Sequence, residues 1–186
     1  MNFKNHFELD GLHAFLSASK YHWVNYDEEK VVSSYTKFLA TQRGTELHEF
    51  ACRCIELGQR LPKSKRSLNC YVNDAIGYRL IPEQPLYYSA NSFGTADAIG
   101  FREKFLRIHD LKTGVSPTSM KQLEIYVALF CLEYRHKPKD IEIELRIYQS
   151  DEIQIHVPDP QEIKIIMDKI ILFDQSLEKL KLEIEE

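Results

Sequence analysis

Three short stretches place acids, a histidine and a lysine where they could act together on a phosphate. HDLKTG, His109 to Gly114, ends a strand-like run with Asp110 and Lys112 two residues apart. Upstream, FGTADAIGF carries Asp97, and further upstream GTELH carries His48. Side chains alternate along a strand, so Asp110 and Lys112 point to one face. If FGTADAIGF and KFLRIHDLK pair across a turn centred between Glu103 and Lys104, Asp97 falls opposite Asp110 and Ile99 opposite Ile108. That face carries Asp97, Ile99 and Phe101 beside Leu106, Ile108, Asp110 and Lys112. Directly opposed Cβ atoms lie roughly 4.5–5.5 Å apart. Two carboxylates that close repel each other and lose solvation, so one takes up a proton unless positive charge sits between them. A hard divalent cation is one solution, since Mg²⁺ prefers one or two carboxylates with waters and phosphate. Lys112 as a plain structural counter-ion is the other. The hairpin alone leaves both open.

The surrounding pattern supplies the elements that must hold these groups. Ser17 in Ser17-Ala-Ser19 predicts an N-cap for a helix through KYHWVNYDEEKVVSSYTKFL, because its hydroxyl accepts from orphan backbone N–H groups. Gly44 is expected to open a second helix, GTELHEFACRCIELG, with Gly58 as its stop. LPKSKRS reads as a basic loop and LNCYVNDAIGYRL as another helix. QPLYYSA, FGTADAIGF and KFLRIHDLK read as three strands, the last two a hairpin. VSPTSMKQLEIYVALFCLEYRH follows as a helix apolar on nearly all sides. IEIELRIY is a strand by alternation, EIQIHV its expected hairpin partner, and QEIKIIMDKIILFDQSLEKLKLEIEE a long final helix. The order predicts an α/β domain around a mixed sheet. It comprises an N-terminal helical segment (1–43), a core (44–157) and a C-terminal helix (158–186). Ile163, Ile166, Ile170, Phe173, Leu177, Leu180 and Ile184 follow a 3-4 spacing. Packing of that stripe on its own sheet is expected ahead of self-association.

Composition narrows the function classes. The chain is 44% hydrophobic and 28% charged, ordinary for a globular fold and not for a disordered one. Net charge is −4, which excludes a simple polycation that coats nucleic acid. The balance is uneven: Arg43–Arg146 holds 16 Lys/Arg against 13 Asp/Glu, whereas Ile147–Glu186 holds 4 against 10. A phosphate-facing middle with an acidic tail is consistent with this. No apolar run is long enough to span a bilayer. The start, MNFKNHFELDGLHAFLS, has acids and polar residues where a signal peptide needs an apolar core. A cytoplasmic protein is expected. Cys52, Cys54, Cys70 and Cys131 show no zinc spacing and read as small buried hydrophobes.

Gly44-Thr-Glu-Leu-His48, Gly94-Thr-Ala-Asp97, Asp110-Leu-Lys112-Thr-Gly and Gln122-Leu-Glu-Ile-Tyr126 occur in that order. Together they resemble the signature of RecB-like nucleases of the PD-(D/E)XK superfamily, which reads G-x-x-x-H, G-x-x-D, D-x-K-T-G and Q-x-x-x-Y. YVNDAIGYRLIPEQPLYYSANSFGTADAI looks similar to small stand-alone phage members of that branch. The resemblance implies a restriction-endonuclease-like core: helix, three-strand meander, helix, strand. It implies that His48, Asp97 and Asp110 ligate a metal, joined by the backbone carbonyl of Leu111. Lys112 would orient the attacking water or stabilise charge on the transition state, with Gln122 and Tyr126 lining the site one helical turn apart. The implied cofactor is Mg²⁺, with Mn²⁺ substituting. The implied activity is hydrolysis of DNA, as an exonuclease in phage DNA recombination, repair or processing in the host cytoplasm, beside a recombination or helicase partner or as a homo-oligomer. Relatives with an iron–sulfur cluster use four cysteines that this chain does not place, so no cluster is expected. Lys63, Lys65, Arg66 and Lys121, and after them Arg135, Lys137 and Lys139, are candidates to touch phosphates. Glu46, Glu49 and Glu83 are expected to be solvated or to support the ligands from outside. A nuclease acting on RNA, and a non-catalytic nucleic-acid-binding or assembly protein that keeps the fold, are the rival readings.

Overall fold

Period-2 alternation on both arms of FGTADAIGFREKFLRIHDL demands a hairpin, and its turn is short and left-handed. Glu103 and Lys104 both adopt positive φ, 50° and 65°, which matches the right-handed twist of the paired strands. The computed structural model describes residues 14–185; the residues weighed above as a leader begin outside that range. The described residues fall into two compact units, one ending at Thr45 and one beginning at Glu46.

The first unit departs from expectation in two places. Ser17 does cap, its side chain accepting from the Ser19 N–H, but the helix it starts is a short 3-10 segment, Ala18–Asn25. Asp27 then restarts the chain: its Oδ1 accepts from the Lys30 N–H at 2.7 Å at the head of α1 (Glu28–Glu56). Gly44 opens no helix, because α1 runs through it. A single interior glycine costs about 1 kcal/mol relative to alanine, and no side-chain cap competes there. Thr41, the nearest candidate, spends its hydroxyl on the Lys37 carbonyl. The Phe15 ring packs on Tyr35 and Phe38, with centroids 5.0 and 5.5 Å away.

The second unit is an α/β arrangement with a five-stranded mixed sheet. The last turns of α1 end at Gly58, whose φ is +64°, and α2 follows (Ser67–Tyr78). Strands β1 (Ile81–Ser89), β2 (Ser92–Arg102) and β3 (Phe105–Leu111) form an antiparallel meander. Helix α3 (Lys121–Glu133) carries the chain to β4 (Glu142–Gln149), which pairs parallel to β3. Strand β5 (Glu152–His156) returns antiparallel on β4, and α4 (Pro160–Glu185) closes the chain. Sheet order is β1-β2-β3-β4-β5. The expected register holds, with Ile99 opposite Ile108 and the ladder reaching Ala98 and His109.

Two apolar cores sandwich the sheet. Ile99, Leu106, Ile108, Leu145 and Ile147 pack under α3 residues Leu123, Val127 and Phe130. Ala98, Leu111 and Tyr148 pack under Tyr71, Val72 and Ala75 of α2 and Ala51, Cys54 and Ile55 of α1. Burying each Leu or Ile contributes about 1.5–3 kcal/mol, so β3 is fixed from both sides. The stripe on α4 divides: Ile163 is fully buried and Ile166 and Ile170 partly, whereas Phe173, Leu177, Leu180 and Ile184 are exposed. Cys54 and Cys131 are buried as expected, Cys52 and Cys70 only half-buried, and all four are free thiols. No described helix is long and apolar enough to cross a membrane.

Candidate functional site

The polar ends of the meander, of α1 and of α3 meet at one place. Asp97 lies just past the β2–β3 ladder, which ends at Ala98 and His109, and its Oδ2 accepts the Leu111 N–H at 2.9 Å. His48 Nδ1, from the last turns of α1, lies 3.4 Å from the same oxygen. Glu83 joins them: ligand atoms of His48, Glu83 and Asp97 all lie within 4.8 Å of one another. Glu83, expected as a solvated or supporting acid near the cluster, is exposed and within ligand reach of His48 and Asp97. It lies across from Asp97, between the pairs Pro82–Ala98 and Gln84–Ala96, with a positive φ of 47°. A non-glycine residue held there is strained by about 1–3 kcal/mol.

A second group adjoins the first through β3. Asp110 is 1% exposed, and its Oδ1 accepts from Lys112 Nζ at 3.0 Å. Lys112 Nζ also donates to Gln122 Oε1 at 2.9 Å, and Gln122 Nε2 donates to the Tyr126 hydroxyl at 3.1 Å. The Tyr126 ring rests on Gly94: a Cβ there would fall 2.9 Å from Tyr126 Cε1. Glycine at 94 is therefore a packing requirement of the tyrosine, and the second and fourth motifs of the series touch. Leu111 takes part through its N–H, which holds Asp97 in place.

The electrostatics are unbalanced. Burial, then the charge of Asp97, pushes the Asp110 carboxyl up to about 6, against the pull of Lys112. Burial also raises Asp97, opposed first by the Leu111 N–H and then by His48. Asp110 Oδ2 is buried with no hydrogen-bond partner. A buried charged oxygen without a partner is costly, and a cation removes that cost. The donor set of His48, Glu83 and Asp97, one imidazole nitrogen with two carboxylate oxygens, could hold a metal ion. The residues present fit such an ion.

The proposed phosphate contacts differ among themselves. Lys63, Lys65 and Arg66 lie exposed on the loop before α2, without ion-pair partners among the described residues. Lys121 is paired with the buried carboxylate of Glu124, which also lies 3.3 Å from His156. Its charge is largely spent within the fold. No protein-family model, curated protein or solved structure matches this chain.

Proposed function

We propose that the chain is a divalent-metal-dependent nuclease that hydrolyses DNA phosphodiester bonds, a RecB-like member of the PD-(D/E)XK superfamily. One observation carries the reading. A buried aspartate gives one oxygen to a lysine and leaves the other unpartnered, within reach of the charges of Asp97 and His48, which with Glu83 form a group that could hold a metal ion. The order of elements, with a helix, a three-strand meander, a crossover helix and a parallel strand, supports a restriction-endonuclease-like core.

His48, Asp97, Asp110 and Glu83 would hold Mg²⁺ or Mn²⁺, with the Leu111 carbonyl as a further donor. Once bound, such an ion lowers the pKa of a coordinated water and neutralises charge developing on phosphate oxygens. Lys112 places a fixed ammonium beside the ligand acids, orienting the attacking water and countering charge on the scissile phosphate. Gln122 holds that ammonium from α3, and Tyr126 holds Gln122. Lys63, Lys65 and Arg66 offer the exposed cations that a polyanion needs. Exonuclease action in phage DNA recombination, repair or processing, beside a recombination or helicase partner or as a homo-oligomer, remains part of the proposal from the motif resemblance.

The test is end-labelled linear DNA, circular DNA and RNA, each with Mg²⁺, Mn²⁺ or EDTA. Expected is metal-dependent shortening of linear DNA that vanishes in folded Lys112→Ala. RNA cut in preference to DNA would select the rival substrate. Folded protein that cuts neither polymer with either metal would overturn the reading in favour of a binding or assembly role.

A further inference from the structure

We propose that Gln149 is a positioning residue that keeps Lys112 and Gln122 in register by holding the segment between them, an inference that rests on the nuclease reading. Gln149 closes β4 and is 7% exposed. Because β3 and β4 run parallel, their carboxyl ends lie side by side, and the Lys112 N–H donates to the Tyr148 carbonyl at 2.9 Å. From Lys112 the chain must reach α3, where Gln122 accepts from the same lysine. The connecting segment forms no helix or strand, and Thr113 to Pro117 are exposed.

Gln149 holds that segment at three points. Its Nε2 donates to the Gly114 carbonyl at 2.6 Å and to the Ser116 carbonyl at 2.9 Å. Its Oε1 accepts from Thr118 Oγ1 at 3.1 Å. Two carbonyls and one hydroxyl fix which end of the amide is nitrogen. The loop groups are near water and rebond to it when released, so the cost in stability is small. The cost falls on geometry instead. The Lys112–Gln122 bond needs both ends of the segment in place, and displacement of about 1 Å at a reacting group costs about a hundredfold in rate.

Gln149→Met keeps length and volume and removes all three bonds. Expected is a fall in kcat of about ten- to a hundredfold, with KM for DNA and Tm close to wild type. Amide exchange across residues 113–120 and the acylation rate of Lys112 should both rise. Thr118→Val, which deletes one bond and leaves Gln149 intact, should shift the same readouts less and serves if Gln149→Met fails to fold. Gln149→Glu keeps only the acceptor and must not rescue. Unchanged exchange in Gln149→Met overturns the inference whether or not the protein cuts DNA. A lowered Tm with unchanged kcat per folded molecule overturns it as well, reducing Gln149 to packing. A wild type that cuts nothing defeats the nuclease reading by itself, and the exchange measurement still decides the role of Gln149.

Discussion

His109 and Asp110 are neighbours on β3, their side chains alternating, and they enter polar clusters built on opposite principles. Under α2, Tyr148 donates to Asp74 at 2.8 Å and lies 3.2 Å from His109 Nδ1. Arg146 reaches Asp74, Tyr78 and Glu144, and Arg107 shares Glu144. Two guanidinium groups face two carboxylates there, and His109 stays neutral. Burial, then Arg146 and Arg107, pushes its imidazole down to about 3. Its buried Nε2 has no partner, but a bare nitrogen on an uncharged ring costs far less than a charge. In the other cluster Asp97, the buried Asp110 and the exposed Glu83 stand with one lysine and a histidine, and the orphaned atom belongs to an acid. Balanced, bonded charge fixes a fold; unbalanced, buried charge asks for a ligand.

That contrast can be broken or sharpened experimentally. The largest effect should come from the unbalanced side: Lys112→Ala should cut DNA hydrolysis by about 10²–10³-fold per folded molecule. A stability change larger than the activity change, by urea melt and single-turnover assay, would erase the distinction. On the balanced side Arg146→Met leaves Asp74 to Tyr148 and Glu144 to Arg107 alone and should cost about 1–3 kcal/mol in a urea melt. The activity of the molecules that remain folded should hold.

The pH dependence should also separate the two clusters. The folded pKa of Asp110, about 6, exceeds the ordinary carboxylate value. The folded state therefore holds the proton more tightly, and stability present below about pH 4 is lost as pH rises through about 6. The loss in metal-free protein is on the order of 3 kcal/mol. Asp110→Asn should flatten that slope, and Mn²⁺ should raise Tm at pH 7 more than at pH 5. A flat wild-type profile would put Asp110 among the balanced groups. The smallest effect is expected from Gly94→Ala, which displaces the Tyr126 ring and should slow cleavage about tenfold. An unchanged rate would mean that Tyr126 does not hold Gln122 where it is needed.

Much of the architecture was readable beforehand because it rests on local periodicity. Alternation on both sides of Glu103-Lys104 set the hairpin register, and apolar residues on nearly all sides marked α3 as buried. Helix continuity through Gly44 was not readable, since a glycine marks a start only when a capping side chain precedes it. Glu83 was ranked as a solvated or supporting acid for a related reason. A lone acid on an edge strand ordinarily faces water, and only the pairing of Ile81 with Ile99 brings it opposite Asp97. Pro82 and Pro85 were the available hint that β1 is an edge strand with an irregular backbone. The hold of Gln149 on its loop follows no period at all.

The left-handed backbone at Glu83 carries an evolutionary consequence. Glycine or asparagine would sit there more comfortably, so a screen that rewards heat tolerance alone should drift toward those residues at position 83. Variants enriched that way would be sturdier and would bind the ion less well. Durability and catalysis would then pull one codon in opposite directions.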